Sequence, residues 1–174
     1  MVTLQGNLIY LRALEPEDLD FIFTIENDET IWELSSTQTP YSKYVLKNYL
    51  ENAHLDIYDA KQLRLVIVNK HHAPVGLIDL FDFDFKNKRA GVGIVVYHKK
   101  DRHAGYGTEA LKLVTQYAKT HLNLHQLFCN IEAGNTASLH LFKQQGFTSV
   151  GLKKDWNYAN GTFKSEYLLQ RILN

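Results

Sequence analysis

A glycine-bearing turn between a predicted strand and a predicted helix is the segment best suited to hold an anion. The run Arg102-His103-Ala104-Gly105-Tyr106-Gly107 follows an apolar strand at residues 93–97 and precedes an amphipathic helix. Backbone N–H groups point outward at a helix N-terminus, and the helix dipole adds roughly half a positive charge there. Glycine has no Cβ to keep a phosphate away from those N–H groups. The sequence therefore predicts a site for a ligand that carries a pyrophosphate.

The elements around this turn are predicted from the hydrophobic period. A strand at residues 8–12 is followed by helices that begin near Pro16, Ile31 and Tyr41. Alternating patterns then predict an antiparallel meander of strands at residues 63–68, 75–85 and 89–97. The helix after the glycines covers about residues 105–121, and a strand at 126–132 and a helix at 135–145 follow it. Asn160-Gly161 predicts a hairpin turn between the last two strands.

Size and composition limit the class of protein. The 174 residues fit one mixed α/β domain over residues 1–174, with 45% apolar and 22% charged residues. The 19 basic and 19 acidic residues give zero formal net charge, which argues against nucleic acid as a partner. The sequence shows neither a membrane-spanning run nor a signal peptide, so we expect a cytoplasmic protein without a membrane partner.

The single cysteine and the eight histidines give no metal-ligand pattern. Cys129 lies in an apolar run and is expected to be a buried small residue rather than a nucleophile. His71 and His72 are adjacent, and a predicted helix end lies between His121 and His125. We therefore expect no metal site.

Two familiar phosphate motifs fit this chain poorly. A P-loop requires G-x-x-x-x-G-K-S/T, which is absent from the sequence. The segment 105–110 matches the dinucleotide pattern G-x-G-x-x-A, but that pattern normally follows the first strand of a βαβ unit directly. Here it follows an antiparallel meander, and residues 98–104 separate it from the strand.

Two separate motifs, in the same order along the chain, resemble those of the GNAT superfamily of acyl-CoA-dependent N-acyltransferases. Arg102, Gly105 and Gly107 fill the pattern Q/R-x-x-G-x-G/A of its motif A. The segment from Asn135 to Phe147 is similar to its motif B, N-x-x-S/A…Y/F-x-K-x-G-F. The resemblance covers nearly the whole chain and is strongest to the branch of bacterial spermidine and ribosomal-protein N-terminal acetyltransferases. It implies a central, mostly antiparallel and splayed sheet of about seven strands, with about four helices.

The resemblance also implies which residues bind acetyl-CoA as co-substrate. In this family, the strand before motif A contacts the pantetheine arm, the glycine loop cradles the pyrophosphate, and motif B contacts the arm from the other side. Lys99 and Lys100 would add phosphate charge. The coenzyme-binding residues expected in this sequence are Ile94, Val95, Val96, Arg102, His103, Ala104, Gly105, Tyr106, Gly107, Thr108, Asn135, Ser138 and Phe142.

The implied reaction is direct transfer of the acetyl group from the thioester to an amine. An alkylammonium has a pKa near 10.4 and must lose a proton before it can attack. A backbone N–H at Val95 or Val96, with Val95 favoured, would hold the oxyanion. Phe142 stands where this family has a tyrosine that protonates the leaving thiolate. Tyr97, Tyr106 and Tyr158 are candidate substitutes, or water can take that role.

Four acidic residues are candidates for the base or for binding the amine: Glu33, Asp79, Asp82 and Asp84. Alternation with Phe81, Phe83 and Phe85 predicts that Asp82 and Asp84 share one face of their strand, away from Asp79. That face is either a solvent-facing polar edge or an acidic wall that attracts a cationic amine. Gln38-Thr39 replaces the acidic pair that the spermidine branch carries before its Pro-Tyr.

The expected function is thus N-acetylation of a primary amine by direct transfer from acetyl-CoA. A polyamine, a protein N-terminus and a small-molecule amine all remain open as the acceptor. The alternative is a catalytically weak acyl-CoA-binding or sensor protein, because the usual tyrosine acid is missing. Edge strands often pair between subunits in this fold, so a homodimer is a candidate assembly.

Overall fold

The computed structural model describes residues 4–35, 37–53 and 56–173 and contains a seven-stranded sheet with helices on both faces. The strands are β1 Ile9–Ala13, β2 Gln62–Asn69, β3 Pro74–Asp84, β4 Arg89–Val96, β5 Gln126–Glu132, β6 Thr148–Ala159 and β7 Thr162–Ile172. The helices are α1 Leu19–Glu26, α2 Glu29–Ser35, α3 Lys43–Glu51, α4 Ile57–Ala60, α5 Tyr106–Thr120 and α6 Thr136–Gln144. Two 3-10 turns, Pro16–Asp18 and Lys99–Asp101, precede α1 and α5.

The sheet order is β1-β2-β3-β4-β5-β7-β6. Among the described strands, β4 and β5 pair in parallel and all other neighbours pair antiparallel. This topology confirms the predicted mixed α/β fold with a mostly antiparallel sheet. The described part of the chain holds six α-helices rather than about four. The one-turn helix α4 was missed because four residues are too few to show a helical period.

The α5 side of the sheet carries the larger core. The predicted apolar stripe of α5 is confirmed, since Ala110, Leu111, Val114 and Ala118 are all at most 1% exposed. These side chains pack with inward-facing residues of β2 to β5 and of α6. A smaller apolar cluster on the opposite face joins Ile25 of α1 and Ile31 of α2 to β2 and β3. We call these two sides the α5 face and the α1 face.

The end of β3 departs from the predicted strict alternation. Asp82 has a φ of +49°, and the β3–β4 register shifts between Phe81 and Asp84. This bulge sends Phe83 into the core of the α5 face, whereas Phe81 covers Gly91 on the α1 face. The three phenylalanines therefore do not share a face, and the period-2 argument was wrong here because a bulge adds one residue to the strand.

Candidate functional site

Strands β4 and β5 separate after only three paired positions. Arg89 to Gly91 pair with Gln126 to Phe128, and no further pair joins the two described strands. The opening between them is a cavity of about 120 Å³. We call it the splay cavity, and it is lined by Val92, Gly93, Ile94, Cys129, Asn130, Ile131, Glu132, Asn135, Ser138, Phe142, Asn157 and Glu166.

A larger groove of about 450 Å³ adjoins this cavity between the glycine loop and α6. We call it the coenzyme groove, and it is lined by Ile94, Val95, Val96, Asp101, Arg102, His103, Gly105, Gly107, Thr108, Asn135, Ala137, Ser138, His140, Leu141 and Gln144. Ile94, Asn135 and Ser138 line both spaces, so the two form one continuous path. This path brings together all the predicted coenzyme residues except Ala104 and Tyr106.

The glycine loop has the geometry that an anion site requires. Gly105 has a φ of +84° and precedes the first turn of α5, whose leading N–H groups have no intrahelical partner. A Cβ on Gly107 would lie 3.4 Å from Leu141 of α6 and 3.8 Å from Ile94 and Val96. Glycine at 107 thus leaves open the groove that any side chain would begin to fill, which fits a phosphate-bearing arm lying there.

The cationic residues near the loop differ in how they are placed. The Arg102 guanidinium donates to the carbonyls of Val96 at 3.3 Å and Tyr97 at 3.5 Å, which holds it at the end of β4 beside the groove. Lys99 and Lys100 are exposed in the preceding 3-10 turn and do not line the groove. His140 of α6 does line it, although motif reasoning gave it no role.

The N-terminal segment is tied to the first turn of α5. The Glu109 carboxylate accepts the backbone N–H groups of Asn7 at 2.8 Å, Leu8 at 2.7 Å and Ile9 at 2.8 Å. Burial raises the pKa of this carboxyl, but the three N–H donors outweigh burial and hold it below its usual value. Glu109 therefore fixes the entry to β1 against the helix that carries the glycine loop.

The backbone N–H groups of β4 alternate between facing β3 and facing the splay. The Tyr97 N–H donates to the Val75 carbonyl at 2.9 Å, and the Val95 carbonyl faces Gly76, both toward β3. In an antiparallel ladder, residues two apart face the same neighbour, so the Val95 N–H also points to β3. The predicted role of Val95 is therefore wrong. Ile94 and Val96, at the alternate positions, direct their N–H groups toward the splay.

The residue at the tyrosine position of motif B is buried and apolar. Phe142 is 3% exposed, lines the splay cavity and packs edge-on against Phe147 with ring centroids 5.0 Å apart. Of the candidate substitutes, Tyr158 is 67% exposed and packs against Phe163, and Tyr106 packs against the core. Neither of them, nor Tyr97, lines the cavity.

Asp79 lies beside the cavity but is engaged by an arginine. It pairs with Gly93 across β3 and β4, and its carboxylate accepts from Arg64 Nε at 2.7 Å and Nη2 at 3.3 Å. Arg64 also contacts Glu26 at 2.6 Å. Burial lowers the pKa of Arg64, but the two carboxylates outweigh burial and hold it above its usual value. Asp79 therefore belongs to an ion-pair cluster on the α1 face.

Asp82 and Asp84, for which a solvent-facing polar edge and an acidic wall were both open, do not form a wall beside the cavity. Asp82 is exposed at the bulge. Asp84 accepts from the Asn87 backbone N–H at 2.9 Å and pairs with Arg89 at 2.9 Å, so it closes the β3–β4 turn. Neither residue lines the cavity. The side chain of Glu33 lies outside the described part of the structure.

Two acids that sequence reasoning missed do line the cavity. Glu132 of β5 and Glu166 of β7 are direct cross-strand partners. Cys129 and Ile131 point to the core of the α5 face, so Asn130 and Glu132 point to the α1 face. Glu166 forms an ion pair with Lys153, and Glu132 lies 3.5 Å from Lys164. Only pairing between distant strands brings them together, so no local motif could have indicated them.

Cys129 lies in the same cavity and is 1% exposed. Burial raises the pKa of its thiol to about 12. A thiol held in the neutral form is a poor nucleophile. This confirms the expectation of a buried structural cysteine.

No group of three or more His, Cys, Asp or Glu side chains in residues 4–35, 37–53 and 56–173 is placed to hold a metal ion. In the same ranges, no helix is both long and apolar enough to span a bilayer.

Comparisons with known proteins agree with this geometry. The profile of the acetyltransferase (GNAT) domain matches residues 9–148. The chain is 27% identical over 163 residues to the spermidine N(1)-acetyltransferase of Vibrio cholerae, covering 92% of each. A crystal structure of a spermidine N-acetyltransferase from that organism, in complex with CoA and spermine, superposes with a TM-score of 0.86 over 95% of both chains at 23% identity, which shows the fold. A dodecameric structure of the Vibrio cholerae enzyme gives a TM-score of 0.79 at 25% identity, over 95% of this chain and 94% of that one.

The profile covers most of the chain, and the splayed sheet and the glycine loop that the family resemblance implies are both present. The chain therefore belongs to the GNAT acetyltransferase family, as an N-acetyltransferase that uses acetyl-CoA to acetylate a primary amine.

Proposed function

We propose that this enzyme acetylates a polyamine or a similar cationic amine that enters from the α1 face, opposite the coenzyme. The observation that carries the proposal is the pair Glu132 and Glu166, which line the splay cavity on that face. The relationship to a spermidine N(1)-acetyltransferase supports the same acceptor class. Because the sheet draws strands from residues 9 to 172, we also treat residues 1–174 as one domain.

The coenzyme would lie along the continuous path described above. The N–H groups at the start of α5, with Arg102, His103 and His140, would hold the phosphates in the coenzyme groove. Asn135 caps α6 by accepting the Ser138 N–H at 3.1 Å, so its side chain is already oriented at the junction of groove and cavity. The backbone of Ile94 and Val96 would pair with the pantetheine amides, and the thioester would reach the splay cavity.

The chain supplies one function to the transfer step, and water supplies the other. As the amine nitrogen bonds to the acetyl carbon and the carbon–sulfur bond breaks, negative charge develops on the carbonyl oxygen. The Ile94 N–H, which is directed into the splay, would stabilise that charge. Phe142 cannot donate a proton to the departing thiolate, so water takes that role.

The acceptor amine must arrive neutral or lose its proton nearby. Glu132 has one long ion pair, at 3.5 Å from Lys164, whereas both oxygens of Glu166 have partners. Glu132 is therefore the better candidate to receive the proton, directly or through water, and Glu166 the better candidate to attract the cation. Asp79 and Glu26 share Arg64 elsewhere on the α1 face, which leaves that cluster with one net negative charge.

Self-association is part of the proposal. Strand β6 is a 12-residue edge strand, and the β6–β7 hairpin exposes Val150, Leu152, Trp156, Tyr158 and Phe163. A long exposed apolar edge favours pairing with another chain. A homodimer built through this hairpin would cover these side chains, and the dodecameric relative shows that this fold assembles. Size-exclusion chromatography with light scattering tests the assembly: a monomer at micromolar concentration would contradict it.

The test of function is thiol release from acetyl-CoA with matched acceptor panels: spermidine and shorter diamines, amino sugars, and short peptides with free N-termini. The proposal predicts the highest kcat/KM with the polyamines. Faster turnover of a peptide or an amino sugar would replace the polyamine with that class. Tight acetyl-CoA binding without thiol release from any amine would contradict the proposal and favour an acyl-CoA sensor.

A further inference from the structure

The ammonium group of Lys153 occupies a site with the groups that bind ammonium ions. Its Nζ forms an ion pair with Glu166, donates to Asn130 Oδ1 at 3.0 Å, and lies 4.6 Å from the ring centroid of Trp156. A carboxylate, an amide oxygen and an aromatic face are the partners that favour a cation. Glu166 lies in β7, Asn130 in β5 and Trp156 in β6, so the site exists only in the folded sheet.

This site adjoins the acceptor side of the splay cavity. Asn130 and Glu166 both line the cavity, whereas Lys153 contacts them without lining it. Asn157 donates to the second oxygen of Glu166 at 2.9 Å and fixes the orientation of the carboxylate. The side chain of Glu166 is 14% exposed, so its charge is poorly screened and a cation is required beside it. The chain itself supplies that cation.

We propose that Lys153 is a tethered occupant of an ammonium subsite formed by Glu166, Asn130 and Trp156, and that it limits the binding of a second ammonium group of the acceptor. The proposal rests on the proposed function in one respect, that the acceptor enters the cavity from the α1 face. An ammonium group of the substrate must compete with the ammonium group of Lys153 for the Glu166 carboxylate. Without Lys153, the carboxylate and the Asn130 oxygen would accept the distal end of a diamine instead.

The test compares how 1,4-diaminobutane and butylamine bind to the CoA-bound protein, measured by calorimetry. Lys153→Met keeps the hydrocarbon stem over Trp156 and removes the charge. The ratio of the butylamine Kd to the diamine Kd should rise about tenfold, the effect of one charged hydrogen-bonded contact. Lys154→Met, at the exposed neighbouring position, is the matched control and should leave the ratio at its original value.

A second substitution separates the subsite from a general loosening of the sheet. Adding Glu166→Gln to Lys153→Met should remove the gain, because the amide lacks the charge that attracts the diamine. An unchanged ratio in a Lys153→Met protein that still binds CoA would overturn the proposal, as would a gain that survives Glu166→Gln. Binding is read without turnover, so a wild-type enzyme that acetylates only peptides would refute the polyamine function and leave this result intact.

Discussion

The coenzyme groove and the acceptor side of the splay cavity differ in what they are made of. The groove is built mainly from backbone, with a glycine loop, a helix N-terminus and the alternate N–H groups of β4. The acceptor side is built from charged and amide side chains of β5, β6 and β7, each oriented by a partner on another strand. Substitutions in the groove should therefore act through shape, and those on the acceptor side through charge.

The largest expected effect follows from filling the groove. Gly107→Val places methyl groups between α5 and α6, where Leu141, Ile94 and Val96 are already in contact range. The Kd for acetyl-CoA should rise at least about 100-fold, because several charged hydrogen bonds to the phosphates are lost together. Gly151→Ala is the matched control, since no atom lies within 4 Å of its Cβ position. Undiminished binding by Gly107→Val in isothermal titration would show that the coenzyme lies elsewhere.

Removing charge on the acceptor side should act on the amine alone. Glu132→Gln keeps the shape of the cavity lining and removes the carboxylate beside Lys164. The kcat for the amine should fall about 100-fold, the low end of what a positioned general base contributes, because Glu132 is the proposed proton acceptor. The Kd for acetyl-CoA should stay within about twofold. Two-substrate steady-state kinetics separates the effect on the amine from the effect on acetyl-CoA. A weaker affinity of Glu132→Gln for acetyl-CoA would contradict the division into a coenzyme groove and an acceptor side.

Restoring the missing hydroxyl tests the boundary between the regions. Phe142→Tyr adds an acid at a buried position that lines the cavity near Asn135 and Ser138. We expect kcat to rise about fivefold, well below the usual gain from general acid catalysis, because a thiolate is already a good leaving group. A buried hydroxyl should cost about 1 kcal/mol of unfolding free energy. A fall in kcat in a folded variant would show that water needs the space at this position.

The smallest effect concerns how the N-terminal segment supports the groove. Glu109→Gln replaces one acceptor oxygen with an NH2 group that opposes a backbone N–H, which should lower Tm by about 2–4 °C. The folded pKa of Glu109 is lowered, so its contribution to stability is present above the usual pKa and is lost as the pH falls through the folded value. The Tm difference from wild type should therefore shrink in acid. A constant difference would assign the effect to packing, and Glu17→Gln, at an exposed site, is the control.

The contrast also explains what the sequence could predict. The groove depends on contiguous residues such as Gly105 and Gly107, whose roles are local and leave a motif. The Asn160-Gly161 turn is local too, and both residues have the positive φ that a type I′ hairpin turn requires. The bulge at Asp82 has no such signature, because Phe-Asp-Phe-Asp-Phe satisfies a regular strand equally well. Glu132 and Glu166 are 34 positions apart in the sequence, and only the β5–β7 register makes them neighbours.

The direction of the β4 backbone was beyond sequence reasoning for a related reason. Side-chain alternation tells which face a residue occupies, but which neighbour its N–H meets depends on the pairing register. Val95 was favoured as oxyanion donor on the family resemblance, but the bond from Tyr97 to Val75 indicates that the Val95 N–H faces β3, so we propose Ile94 for that role. The two positions differ by one residue, but the N–H of Val95 faces β3 whereas that of Ile94 faces the cavity.

Residue-resolved amide hydrogen exchange, with and without CoA, tests this division most directly. The account predicts that CoA slows exchange at Ile94 and Val96 and in the first turn of α5, because these N–H groups face the path. Val95, already bonded to β3, should change little, and Lys153 to Glu166 should be unaffected. Protection of Val95 without Ile94, or protection centred on β6 and β7, would contradict the placement of the coenzyme on which the whole account depends.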